Sequence, residues 1–94
     1  MSTWTTLISC DQLARELDNP AWVVVDCRHD LANPEFGRQA YADGHIPGAV
    51  FIHMDDELSG PKTGRNGRHP LPDPARLARR LGALGIDSSK QVVA

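Results

Sequence analysis

Apolar residues occur along this chain in two kinds of run, one spaced for helices and one continuous enough for covered strands. Cys10, Leu13, Ala14 and Leu17 recur at i, i+3, i+4 and i+7, which places a single apolar stripe on a helix over residues 10–17. Ser9, followed three residues later by Gln12, predicts a capping box at its start, because hydroxyl and amide can each satisfy an otherwise unpaired backbone N–H. Asp18-Asn19-Pro20 ends the helix, since proline disfavours helical geometry in its predecessor. Trp22-Val23-Val24-Val25 is apolar throughout and rich in β-branched residues, the pattern of a strand covered on both faces in a mostly parallel sheet. Ala49-Val50-Phe51-Ile52 predicts a second buried strand. Between them, Asn33-Pro34 and Gly37 read as a connecting loop over 29–39, followed by one turn of helix over 38–42 that Gly44 breaks.

Residues 53–72 hold Gly60-Pro61, Gly64, Asn66-Gly67 and two further prolines, and a structureless stretch of about twenty residues in a compact domain marks function or mobility. Asp73 then caps a helix whose first position is Pro74, a residue tolerated there because its missing N–H would have been unpaired anyway. Leu77, Leu81 and Leu84 face the core, Arg76, Arg79 and Arg80 fall mainly on the other side, and Gly85 suits a left-handed helix end. Gln91-Val92-Val93-Ala94 begins a third strand. Alternating strands and helices predict an α/β fold around a mostly parallel sheet, incomplete in this chain because the helix and strand that would cover it do not follow.

Length and charge narrow the partners. The 94 residues allow one domain at most. Ten Lys and Arg against twelve Asp and Glu give a formal charge of −2, so no global field draws the chain to nucleic acid or an anionic membrane. Lys62, Arg65, Arg68, Arg76, Arg79 and Arg80 form a basic stretch, but without interleaved aromatic residues it reads as a solvated face or an anion-steering rim. Met1-Ser2-Thr3-Trp4 has no basic segment leading an apolar one, and the longest apolar run, Ala21 to Val25, is too short to span lipid. Cys10 and Cys27 form neither a C-x-x-C pair nor a dense framework, so they are expected reduced. These features predict a soluble, cytoplasmic protein with no cofactor.

Four groups of residues could carry chemistry. In His45-Ile46-Pro47-Gly48-Ala49, proline fixes φ and glycine admits positive φ, so the backbone reverses tightly into the following strand. His45 is expected to bond the neighbouring backbone rather than act as a base. Asp26 and Arg28 stand at the carboxyl end of a parallel strand, where ligand sites collect, yet they also suit ion pairs that tie loops together with Arg38 or Asp43. Cys27, between them, has Arg28 and His29 beside it but opens no glycine-rich loop, and is expected to be a buried thiol. His45, His53, His69 and the two aspartates Asp55 and Asp56 show no tight ligand spacing, so no metal site is predicted.

The run Tyr41 to Ile52, Y-A-D-G-H-I-P-G-A-V-F-I, resembles the N-terminal signature of rhodanese domains, and Gly67-Arg68-His69-Pro70-Leu71-Pro72 resembles tandem sulfurtransferases of the thiosulfate and 3-mercaptopyruvate class. The resemblance implies a rhodanese-like three-layer fold, with residues 1–94 forming the N-terminal part of one rhodanese domain and a second, catalytic domain outside the chain. It implies a full-length enzyme that moves sulfane sulfur from a small anionic donor, thiosulfate or 3-mercaptopyruvate, to cyanide or a thiol through a cysteine persulfide. The nucleophilic cysteine would lie in the C-terminal rhodanese domain, leaving this chain alone inactive. By position, Asp55 and His69 match an Asp and a His that in some mercaptopyruvate enzymes complete an arrangement with a serine of the second domain. An imidazole oriented by a carboxylate is a competent proton relay. A non-catalytic rhodanese-like binding or regulatory module is the alternative, and a related phosphatase fold differs by a longer cysteine loop.

Overall fold

The computed structural model describes residues 6–94, so the reading of Met1 to Trp4 lies outside the described residues. Six elements alternate along the chain: α1 (Cys10–Glu16), β1 (Trp22–Asp26), α2 (Phe36–Asp43), β2 (Val50–Phe51), α3 (Pro74–Ala83) and β3 (Gln91–Val93). The strands form one open parallel sheet in the order β2-β1-β3, giving the α/β class that the strand and helix patterns predict. β1 is central, with Val25 beside Val50 and Asp26 beside Phe51 on one side, and Trp22 beside Gln91 and Val24 beside Val93 on the other.

The helix ends follow their capping residues. Ser9 Oγ accepts the Gln12 N–H at 3.2 Å while Gln12 Oε1 accepts the Ser9 N–H at 3.1 Å, completing the capping box. Asp73 accepts the Arg76 N–H at 3.1 Å with Pro74 in the first turn, and Gly85 ends α3 at φ 85°. Leu77, Leu81 and Leu84 are half-buried, as are Leu13 and Leu17, but Cys10 and Ala14 are exposed, so the stripe of α1 is narrower than its spacing predicts.

Two expectations need correction. The strands are not covered throughout: within β1 only Val25 is buried, and the buried apolar side chains among the described residues are Val25, Ala49 and Ile52. Val92 of β3 is 41% exposed and Val50 of β2 is half-buried, so β-branched residues in both outer strands keep solvent contact. The second correction is α2, a helix of eight residues where one turn was expected. Gly37 reads as a loop signal, but it sits inside the helix for a packing reason. A Cβ there would lie 2.2 Å from the Arg28 carbonyl oxygen and 3.1 Å from the Phe51 ring.

The signature turn is tied from both sides. Pro47 and Gly48, the latter at φ 80°, occupy the two central positions of a turn closed by the Ala49 N–H on the Ile46 carbonyl at 2.9 Å. Tyr41, on α2, donates its hydroxyl to the Ala49 carbonyl at 2.5 Å. His45 stacks on that Tyr41 ring, centroids 3.7 Å apart, and its Nδ1 meets the Tyr41 carbonyl at 2.7 Å. The bond to a carbonyl makes Nδ1 the donor, and His45 serves the fold. No helix among the described residues is long and apolar enough to cross a membrane.

Candidate functional site

Residues 53–59, at the start of the long connection, contain neither helix nor strand but fold into a closed turn. The His53 carbonyl accepts the N–H groups of Glu57 and Leu58 at 3.0 and 3.2 Å, and Ser59 Oγ donates to the Met54 carbonyl at 2.7 Å. Glu57 holds the His53 N–H through one oxygen and Arg80 Nε of α3 through the other. The buried His53 ring is the keystone: Nδ1 accepts from the N–H groups of Asp55 and Asp56 at 3.1 and 3.2 Å, while Nε2 meets the Pro34 carbonyl at 2.7 Å. Only a lone pair can accept an N–H, so the proton sits on Nε2 and donates to Pro34. His53 thereby positions the backbone of Asp55.

The remainder of the connection is an exposed loop clamped at its neck. The Gly60 N–H donates to the Pro70 carbonyl at 2.9 Å, an approach so close that a Cβ on Gly60 would stand 2.6 Å from the Leu71 carbonyl oxygen. Asn66 braces the tip, accepting the Thr63 N–H and donating to the Pro61 carbonyl. Clamping brings His69 back to the turn that carries Asp55, fourteen residues earlier, and His69 Nε2 lies 2.8 Å from Asp55 Oδ1. His69 Nδ1 makes no hydrogen bond to any described residue. The two side chains are 27% and 36% exposed, open enough for a ligand and covered enough for the pair to persist.

A third group completes the cluster. His29, three residues beyond β1, is only 10% exposed, and its Nε2 points at Asp55 Oδ1 from 3.6 Å. That nitrogen is buried without a hydrogen-bond partner. The His29 ring stands edge-on to both His53 and His69, with centroids 5.7 and 5.9 Å away. The His69 hydrogen bond, against a smaller opposing effect of burial, holds the Asp55 carboxyl below its ordinary value. A cleft of about 340 Å³ opens beside the pair, bordered by Leu31, Ala32, Lys62 and Arg68. Two cations at its rim suit an anionic occupant.

Other sequence candidates resolve differently. Asp26 and Arg28 pair with each other, Arg28 Nη2 reaching Asp26 Oδ2 at 2.7 Å and the Gly44 carbonyl at 2.7 Å, so they join β1 to the signature turn. Arg38 bonds Glu35 and Asp56 instead, at 2.9 and 2.8 Å, so the Asp26–Arg28 pair includes neither Arg38 nor Asp43. Cys27 is half-buried, and burial with the neighbouring Asp26 charge pushes its thiol above the ordinary value. Asp26, Cys27 and Arg28 line a larger hollow of about 720 Å³ with Val24, Val93 and Ile46; Asp26 and Arg28 satisfy each other there, leaving an apolar flank of the sheet rather than a reactive site. Of the histidines and aspartates weighed as ligands, His45 is bound to Tyr41 and His53 has both nitrogens engaged. His69 and Asp55 do come together, joined by His29, which ligand spacing in the sequence could not single out because its partner lies in a turn beyond another strand.

Comparison with known proteins agrees with this architecture. The family model described as rhodanese-like domain matches residues 9–94. A Pseudomonas aeruginosa protein named "Probable 3-mercaptopyruvate sulfurtransferase" is 47% identical over 88 residues, covering 93% of this chain and 31% of that protein. The 3-mercaptopyruvate sulfurtransferase of Escherichia coli K12 is 32% identical over 97 residues, covering 99% of this chain and 32% of its own length. Among solved structures, 3-mercaptopyruvate sulfurtransferase from Leishmania major superposes with a TM-score of 0.73 at 29% identity, over 84% of this chain and 22% of that one. The chain thus spans about a third of the curated relatives it matches.

Proposed function

The chain belongs to the rhodanese-like domain family, and from that premise we propose that it is the N-terminal domain of a tandem sulfurtransferase whose persulfide-forming cysteine lies in a second rhodanese domain. The full-length enzyme takes the thiol sulfur of 3-mercaptopyruvate or the sulfane sulfur of thiosulfate, holds it as a cysteine persulfide and passes it to a thiol or cyanide in the cytoplasm, where unpaired cysteines such as Cys10 and Cys27 stay reduced. In the mercaptopyruvate reaction, a thiolate attacks the donor sulfur, the carbon–sulfur bond breaks with its electrons on the pyruvate fragment, and that fragment is protonated. This domain contributes the proton relay. Asp55 accepts a hydrogen bond from the Nε2–H of His69, which fixes the tautomer and leaves Nδ1 as the working nitrogen, facing a serine of the second domain. Lys62 and Arg68 draw the donor carboxylate towards the cleft.

The observation that carries this reading is the 2.8 Å contact between Asp55 and His69, made across a loop whose neck is clamped for it. Cys27 supports the division of labour, because a thiol with a raised pKa is a poor nucleophile at neutral pH. The test is His69→Asn in the full-length protein, with turnover of mercaptopyruvate and thiosulfate measured side by side. Loss of an acid–base group lowers the mercaptopyruvate rate by about 10²–10⁴-fold, whereas thiosulfate, which releases sulfite without carbon protonation, is largely spared. Equal rates for variant and parent on mercaptopyruvate would remove His69 from the mechanism.

A further inference from the structure

We propose that His29, Asp55 and His69 form a binding site for a divalent zinc-class cation, and that an ion held there takes the relay of the proposed function out of service. The three ligand atoms, His29 Nε2, Asp55 Oδ1 and His69 Nε2, lie within 4.8 Å of one another. Two imidazoles and a carboxylate, with a fourth position open to solvent, make a zinc donor set. Tetrahedral zinc with arms of about 2.0–2.1 Å sets its ligands roughly 3.3 Å apart. The separations of 2.8 Å and 3.6 Å around Asp55 bracket that value. His29 brings the independent sign: a ring nine-tenths buried, aimed at the cluster, with a nitrogen left without a partner. A buried polar atom of this kind costs free energy unless something satisfies it, and a cation at the centre of the three would do so.

The inhibitory consequence rests on the relay reading, whereas the binding does not. His69 Nε2 cannot carry both a metal and the proton it shares with Asp55. The ion takes the Nε2 lone pair, and the one remaining proton of the neutral ring sits on Nδ1. That is the nitrogen the relay needs as an acceptor, so metal and proton transfer exclude each other. The site is a brake that free zinc applies.

The experiment is a titration of the full-length protein with Co²⁺, in the absence of substrate and followed by visible absorption, with Zn²⁺ added afterwards. One equivalent should give the bands of a four-coordinate nitrogen and oxygen site without a thiolate-to-cobalt band in the near ultraviolet, and Zn²⁺ should displace it. His29→Ala and Asp55→Asn should each weaken binding by more than about 100-fold, since loss of even an outer-sphere partner costs about 10–100-fold. Cys10→Ser should leave the spectrum intact. Circular dichroism keeps a folding failure of His29→Ala apart from ligand loss, and Asp55→Asn, at a more exposed position, gives a second reading. A thiolate band, binding unchanged in folded variants, or no saturable binding would each overturn the site. None of these outcomes touches the relay, which stands or falls on the rates of His69→Asn.

Discussion

Two glycines inside helices, Gly37 in α2 and Gly82 in α3, should respond to alanine with opposite signs. In both, alanine removes backbone freedom from the unfolded chain and raises helix propensity by about 1 kcal/mol. A Cβ on Gly82 meets nothing within 4 Å, so that gain should appear whole, as a stabilisation of up to about 1 kcal/mol. At Gly37 the new carbon would stand 2.2 Å from the Arg28 carbonyl oxygen, with the Phe51 ring at 3.1 Å behind it. The obstacle is backbone, so no rotamer change relieves it, and α2 must retreat by about an ångström. Overpacking of this kind costs about 1–3 kcal/mol. The retreat also stretches the 2.5 Å Tyr41–Ala49 bond, worth about 0.5–1.5 kcal/mol. After the propensity gain, Gly37→Ala should destabilise by about 1–3 kcal/mol. Urea unfolding followed by tryptophan fluorescence should then separate the two variants by roughly 1–2 M in midpoint. If Gly37→Ala unfolds at the parent's midpoint or above it, α2 does not pack on the Arg28 carbonyl, and the account of the helix is wrong.

Two further tests address charge and thiol chemistry. The Arg28 side-chain hydrogen bonds hold the Asp26 carboxyl below its ordinary value. A depressed folded-state pKa contributes stability that is complete above the unfolded value and is lost as pH falls through the folded one. The stability gap between parent and Asp26→Asn should therefore be constant at neutral pH and close below about pH 4; a gap that widens on acidification would refute the assignment. Because its thiol is pushed up by burial, Cys27 should react with iodoacetamide more slowly than glutathione at pH 7.5, as mass spectrometry of the folded protein would detect, and faster labelling would contradict the buried reading.

Local signals written in the chain were legible where the interaction they encode is also local. Ser9 and Gln12, Asp73 and Pro74, and Pro47 with Gly48 each lie within a few residues of the groups they satisfy, and all appear in the structure as their spacing predicts. Gly37 misled because the reason for it is a contact with Arg28, nine residues away, and a glycine kept for close approach is indistinguishable in sequence from one kept for a turn. Residues 53–72 read as structureless because no periodicity marks a fold made by single side chains. The His53 ring and the Ser59 hydroxyl close the first part by bonding the backbone of Asp55, Asp56 and Met54, and Asn66 braces the second. Asp55 and His69 were reached through a family resemblance; spacing alone offered no route to them.

His29 shows why the third member of the cluster was out of reach, and also why it stands where it does. Parallel strands send their chains out at the same edge of the sheet, which is where sites in open α/β folds gather. The register here pairs Asp26 of β1 with Phe51 of β2. From those partners, His29 lies three residues on and Asp55 four, so the two segments leave the sheet side by side and their side chains converge. A sequence carries the two strands but not their register, and slipping a pair by one residue turns its side chains to the opposite face. With Asp26 beside Val50 instead, the segments after the strands would be offset by one residue, and the 3.6 Å approach of His29 to Asp55 would be lost. The cluster is therefore a property of strand pairing, and any substitution that shifts the pairing of β1 and β2 should disperse it even when all three of its side chains are kept.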